Sequence, residues 1–391
     1  MHHIPRTILI TSVIMLLLFG LTMLYSTSYA VYGEEKMLRQ MIWIVVGTVG
    51  ALLAGAMDYR RLVRYGWPLL GISAIALLYL AVANVLHHIG GTARELAGAF
   101  PFVSGLHVGS ARWLGLSFVR VQPSEFAKIA IILFIAHYFG RHARHLGTFY
   151  RGFFKPMAAV GVIGILILLG GDLSTTAITG GMVGALAFVG GVRLRYLVLI
   201  ALAGLALGVT TIRISPERMA RITSYQNPEA HQQDEGYQLW FSQLALGSGG
   251  WRGLGFTNSR MKHRYLPEAH TDFIVAIIGE ELGFLGVVGA MVLYIFLTLA
   301  TLWIGILAPD REGMLLCCGV ALAFGLHAFV NIGVVSGFLP TTGVTAPLIS
   351  YGGSSVVGAL LEIGLVLSVS RVGAQETGDS TPATSPGYSA I

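Results

Sequence analysis

Charge is what this 391-residue chain has least of: Asp, Glu, Lys and Arg together make up 11% of it, against about 25% in soluble domains. So few charges do not keep a chain of this length in water, which excludes an ordinary soluble enzyme or a disordered binding protein. Cysteine is nearly absent as well. Cys317 and Cys318 are adjacent inside an apolar run, lack metal or redox spacing, and are expected to be packing residues. There is no glycine-rich phosphate loop, no soluble domain and no inverted repeat of the transporter kind. Any chemistry must therefore use loops and the few charges held between apolar segments. The net charge of +6 comes from basic residues in short connectors rather than on one face, so no nucleic-acid partner is expected.

What is present is apolar. Hydrophobic residues make up 54% and mean hydropathy is +0.72, while 51 glycines suit close helix packing in lipid. A helix needs about 20 apolar residues to cross the hydrocarbon. By that measure the fold class is an all-α integral membrane protein with about ten transmembrane helices. They are expected near 7–29, 41–57, 67–87, 123–139, 156–170, 174–190, 195–212, 272–305, 314–336 and 350–370. The run after Arg6 is too long for the core of a signal peptide and is kept as the first span. The eighth is longer than one crossing needs and is expected to tilt or to end inside those limits.

Residues 1–373 read as one polytopic domain, and 374–391, rich in Ser, Thr, Pro and Gly, as a disordered cytoplasmic tail. Arg and Lys in the short connectors place both termini in the cytoplasm. The loops at about 88–122, 213–271 and 337–349 then lie outside, the largest between helices 7 and 8.

Each charge within or beside a span is a functional candidate, because it is costly there. Glu125 and Lys128 lie three apart on one helix face, either as a self-neutralising pair or as a site. Asp172, in "GGDLSTT", reads better as a helix cap than as a reactive group. Glu362 needs a partner from another helix or must be protonated. Glu280 and Glu281 sit between Gly279 and Gly283 and want a cation; counted along one helix, only Glu280 shares a side with Asp272. Asp272 follows a loop too long for a simple connector, which carries aromatics together with Arg218, Lys262 and other cations suited to phosphate. The Gly/Pro-punctuated "LPTTGVTAPLISYGGSS", with Ser350, Tyr351 and Ser354, reads as a pocket wall that suits an anion such as pyrophosphate. Together these describe an outer cavity for a lipid-tailed diphosphate. The chemistry open to it is displacement of the diphosphate by a hydroxyl, with a carboxylate as general base.

Four stretches carry a resemblance that covers nearly the whole chain: "GSARWLGL" with "VQPSEFAK", "GYQLWFSQLALGSGGWRGLGFTNSRMKHRYLPEAHTDFI", "GEELGFLG" and "LPTTGVTAPLISYGGSS". They resemble the SEDS family of bacterial cell-wall polymerases, and within it the FtsW-like division branch more than the RodA-like elongation branch. The resemblance implies a peptidoglycan glycosyltransferase of the inner membrane, working at the septum. It would polymerise lipid II into β-1,4 glycan with inversion, with Asp272 as the catalytic carboxylate. It also implies that Arg112, Trp113, Glu125 and Lys128 line the cavity, and His270, two residues before Asp272, is a further candidate for binding substrate. A divalent cation, Mg or Mn, would assist, with no organic cofactor. A class B penicillin-binding protein transpeptidase and other divisome membrane proteins are the implied partners. Gly170 and Gly171 stand where the family usually has Gln-Pro, which weakens a catalytic role for Asp172. A lipid II flippase is the alternative from another class, and an elongation-type polymerase the alternative within the family.

Overall fold

In hydrocarbon every backbone N–H and C=O must find a partner inside the protein, so long apolar runs become helices. The computed structural model describes residues 3–90, 92–106, 110–116 and 119–379. Its long helices are α1 (His3–Tyr32), α2 (Glu35–Ala56) and, after the short α3 (Tyr59–Leu62), α4 (Gly66–Ile89). The short α5 (Thr92–Gly98) precedes α6 (Pro123–Arg141), α7 (Lys155–Leu169), α8 (Leu173–Val189) and α9 (Leu194–Ile214). The long loop folds as α10 (Pro216–Gln226), α11 (Tyr237–Gly249) and α12 (Met261–Arg264), before α13 (Ile274–Ile306), α14 (Arg311–Val335) and α15 (Gly353–Asp379). Among the described residues eight helices are long and apolar enough to cross a membrane. The other two expected segments are helical as well: α6, which carries Glu125, Lys128 and Arg141, and α8, which is 17 residues long.

Helices α6 and α14 lie at the centre, buried along almost their whole length. Helix α2 lies along α15, and α13 packs on α1, α11 and α14. Helix α9 stands apart, with only Tyr196 and Leu197 buried. The connectors expected on one side of the membrane do meet. Arg60 pairs with Asp310 at 2.8 Å and with Glu376 at 2.7 Å, His137 approaches Glu312 at 3.3 Å, and Arg311 donates to the Gly190 carbonyl at 2.5 Å.

Three expectations are corrected. The outer segment after α4 is not purely irregular: β1 (Val103–Ser104), β2 (Trp113–Leu116) and β3 (Val119–Val121) form an antiparallel sheet, with Ser104 opposite Trp113 and Gly115 opposite Arg120. Helix α15 continues through Ala374 to Asp379, so the expected tail begins later, and 380–391 lie outside the described residues. Of the two outcomes expected for the eighth span, a single tilted rod is the one set aside: α13 breaks at Gly283 (φ 68°, ψ −167°), so the first helix ends inside the expected limits. That conformation is essentially restricted to glycine, and a Cβ here would collide with the Gly253 and Arg252 nitrogens. The break frees carbonyls that the 250–261 loop satisfies: Leu254 N–H donates to Glu280 O at 2.9 Å and Gly255 N–H to Glu281 O at 3.0 Å.

Candidate active site

Asp272 precedes α13 instead of riding on it, so counting helical turns from it to Glu280 does not apply. Its turn is held from three directions. Asn331 of α14 donates to the Asp272 carbonyl at 2.8 Å and to Val344 O at 2.6 Å, Ser350 donates to Thr271 O at 2.6 Å, and Tyr351 N–H donates to His270 O at 3.0 Å. Thus Ser350 and Tyr351 position the turn. Its Asp272 carboxylate receives no hydrogen bond from the described side chains.

Burial raises the Asp272 carboxyl to about 6, helped by the charges of Glu268 and Asp172 and opposed by Arg112. These are the groups that tune it, and neither Glu280 nor Lys128 is among them.

Arg112 sits beside Asp172, 3.9 Å away, and donates to Gly171 O at 2.7 Å, while its Nε has no partner among the described residues. Asn84 of α4 fastens this corner, donating to Leu169 O at 2.8 Å and accepting from Ala111 N–H at 3.2 Å. Asp172 caps α8 as expected, accepting from Thr175 N–H at 3.0 Å and from its hydroxyl at 2.9 Å. Arg218 on α10 completes the group. Its burial and the like charges of Arg112 and Arg221 lower its pKa, which is the situation an anion would relieve. Trp113 follows in β2, half-buried.

Other expected site residues lie elsewhere. Glu280 accepts from the Ser259 hydroxyl at 2.5 Å and from Arg260 N–H at 2.9 Å. Glu281 accepts from Ser26 at 2.7 Å, from Thr257 N–H at 3.1 Å and from Ser259 N–H at 3.2 Å. Lys262, expected to bind substrate, is the cation this pair required: its Nζ donates to Glu281 at 2.7 Å, to Ser26 at 2.8 Å and to Thr257 O at 2.7 Å. All three ammonium protons are used, so Lys262 holds the loop. Glu125 and Lys128 pair at 3.0 Å within the bundle, where Lys128 also reaches His327 Nε2 at 2.9 Å. The other His327 nitrogen faces Ala323 O at 2.7 Å and must carry the proton, so Nε2 accepts from the ammonium. Glu362 lies within electrostatic range of Lys128 and Glu125 but forms no ion pair among the described residues, so the expected partner is not found. Ser354 accepts from Gln122 N–H at 3.2 Å and joins the start of α15 to α6.

Sequence reasoning missed Asn331, His327, Glu268 and Lys36. The first two had a signal: polar residues four apart in an otherwise apolar span are costly without a purpose. Lys36 had none, because nothing local says that its Nζ meets His270 Nε2 at 2.5 Å.

Among the described residues no group of three or more His, Cys, Asp or Glu could hold a metal ion. A groove of about 660 Å³ opens along β2, between α4 and α6, walled by Ile72, Tyr79, Phe102, Leu114 and Phe126. Its lining is almost entirely apolar.

The family described as "Cell cycle protein", covering FtsW, RodA and SpoVE, matches residues 6–375. A probable peptidoglycan glycosyltransferase FtsW of Geobacter sp. (strain M18) is 34% identical over 93% of this chain and 96% of its own. Stage V sporulation protein E of Bacillus subtilis (strain 168) is 34% identical over 94% and 97%. A solved structure described as "Structural coordination of polymerization and crosslinking by a peptidoglycan synthase complex" superposes with TM-score 0.72, 28% identity and coverage of 94% and 98%. The rod shape determining protein RodA of Thermus thermophilus superposes with TM-score 0.66, 26% identity and coverage of 93% and 95%. A family match over nearly the full length, joined to the same helical fold, makes this chain a multi-pass membrane protein of the FtsW/RodA/SpoVE family.

Proposed function

We propose that the protein is a peptidoglycan glycosyltransferase that polymerises lipid II, with Asp272 as general base. One observation carries the reading: a half-buried carboxylate held near pKa 6, with no hydrogen-bond donor among the described residues, in the field of the Arg112 guanidinium. A base is most useful when its pKa lies near the working pH, and at neutral pH a carboxyl of pKa about 6 is ionised roughly ten to one. Asp272 takes the proton of the acceptor 4-hydroxyl as that oxygen attacks the donor anomeric carbon. The C–O bond to the diphosphate breaks on the opposite face, so an α-linked donor gives a β-1,4 bond. Arg112 and Arg218 are placed to take the charge that develops on the leaving diphosphate. The apolar groove along β2, the strand that follows Arg112 in the chain, suits the polyprenyl tail.

Among the described residues the fold supplies no metal cage. Any divalent cation, magnesium or manganese, would enter as counter-ion of the diphosphate, held mainly by substrate oxygens. The membrane is the bacterial inner membrane, with both termini cytoplasmic, Asp272 outside and the division septum as the workplace. A class B penicillin-binding protein is the proposed partner, in keeping with the polymerising and crosslinking complex whose fold this chain shares. The test is purified protein, with that transpeptidase, given labelled lipid II. Glycan strands from wild type and none from Asp272→Asn are expected, whereas unchanged polymer from the variant would overturn the base assignment.

A further inference from the structure

At the end of the bundle opposite Asp272 stands a group of cations that the reaction does not use. Helix α14 gives the separation: Arg311 at its start donates to Gly190 O here, while Asn331, about 30 Å further along the helix, meets the Asp272 turn. The chain from 126 to 171 and from 173 to 216 contains no Asp or Glu. It carries Arg144 after α6, Arg151 and Lys155 at the entry to α7, and Arg193 and Arg195 at the entry to α9. Among the described residues none of these five forms an ion pair, and the carboxylates at this end are engaged elsewhere, Glu312 by His137 and Asp310 and Glu376 by Arg60.

Positive connectors that only orient a chain in the membrane need no particular geometry. This corner has one. The π-helical turn Phe149–Phe154 seats Phe149 and Phe153 against the Tyr196 ring of α9, with centroids 5.3 and 5.2 Å away. Tyr138 of α6 fastens the turn by donating to Arg151 O at 2.8 Å. Arg195 lies over the Tyr196 ring, 4.8 Å from its centroid, and donates one N–H to the Tyr196 hydroxyl at 2.8 Å, while Arg193 lies against Gly147. Arg193 and Arg195 are thus held beside the turn that carries Arg151 and Lys155. Aromatic rings face outward next to them: Tyr150 and Phe154, stacked at 6.0 Å, are 65% and 50% exposed. Exposed apolar surface then continues along α7 through Val162 and Ile165 and along α9 through Leu194, Val198 and Leu202. Cations outermost, aromatic rings next and bare apolar helix beneath match the layers of a phospholipid.

We propose that Arg151, Lys155, Arg193 and Arg195 form a site for the phosphodiester headgroup of an anionic glycerophospholipid, whose acyl chains run along the exposed faces of α7 and α9. Guanidinium groups without a carboxylate offer the forked N–H donors that a phosphodiester accepts. A zwitterionic lipid carries its own cation and gains little from them. Because α9 otherwise stands apart from the bundle, a headgroup shared between these cations ties its start to α7.

The test is native mass spectrometry of the full chain in detergent, with phosphatidylglycerol or phosphatidylcholine added in steps. Wild type is expected to bind the first phosphatidylglycerol at least about fivefold more tightly than phosphatidylcholine, the worth of roughly one cation at a membrane surface. Arg151→Gln/Arg195→Gln should abolish that preference, and Arg151→Lys/Arg195→Lys, which keeps the charge, should retain it. Arg61→Gln/Arg64→Gln removes the same charge from exposed positions in α3 and the turn after it, outside the aromatic corner, and should leave the preference in place. Tyr150→Ala keeps every cation and should weaken it. No preference in wild type, an equal loss in the Arg61/Arg64 variant, or a preference kept by both the Arg151/Arg195 Gln variant and Tyr150→Ala would overturn the site. Displacement of the lipid by inorganic phosphate at equal concentration would assign the corner to a free anion and overturn it as well. If the Gln pair yields no folded protein, Tyr150→Ala decides alone, a preference left unchanged counting against the site.

Discussion

Asp272 and the pair Glu280–Glu281 lie on one short stretch of chain, and the protein treats them in opposite ways. Glu281 is wholly buried and receives the Lys262 ammonium, the Ser26 hydroxyl and two backbone N–H groups; Glu280 receives a hydroxyl and two more. Asp272 has burial and two neighbouring negative charges, with Arg112 as counterweight. A carboxylate wrapped in donors is stabilised as an anion and has no reason to take a proton. One left without donors is a base. The comparison separates structural acids from chemical ones by the number of donors, which residue type does not reveal.

The largest effect should come from exchanging the poorly satisfied group. Asp272→Asn is expected to lower glycan synthesis by at least about 10²-fold, the usual worth of a general base. The same change should raise the thermal unfolding midpoint at neutral pH. A carboxyl whose folded pKa is raised from 3.8 to about 6 favours the native state at low pH, and that contribution is lost as pH rises through about 6. Removing the charge should therefore recover up to about 3 kcal/mol at pH 7. A variant that is inactive and less stable than wild type would contradict this account of the site.

Breaking the well-satisfied pair should do the reverse. Lys262→Met leaves Glu281 buried without its cation, and loss of one partner of a buried pair costs about 3–5 kcal/mol. Thermal melts should fall sharply, with activity lost only in step with folded protein. In Lys262→Met/Glu281→Leu much of that stability should return, because the uncompensated charge is gone.

A smaller effect concerns the tuning of Asp272. Glu268 raises its pKa, so Glu268→Gln should move the acid limb of the rate–pH profile from about pH 6 to lower pH. An unmoved limb would remove Glu268 from the tuning set. Smallest of all, Asp172→Asn keeps the helix cap, since Asn is as good a cap as Asp, and should cost only a few tenths of a kcal/mol. Asp172→Ala should cost about 1 kcal/mol in a melt.

Much of this was legible beforehand where a single residue's cost is local. A charge beside an apolar run is expensive wherever the chain folds, so Asp272, Asp172, Glu125 and Glu362 stood out at once, as did the cap at Asp172. Roles that depend on distant partners were not legible. Lys262 read as a phosphate ligand because its loop is rich in cations, yet Ser26, more than two hundred residues away, consumes one of its protons. The Gly283 break was hidden because glycine is tolerated in membrane helices with or without a kink.

By itself, then, the sequence determined that the chain lives in a bilayer as a bundle of helices and that a few acids sit at the water boundary, since transfer free energy depends on composition and length alone. Only the tertiary structure decided which acid is wrapped in donors and which is left bare. Hydrogen bonds and desolvation are set by neighbours in space, and at Asp272 those neighbours come from α14, the segment before β2, the cap of α8 and the turn that carries Glu268.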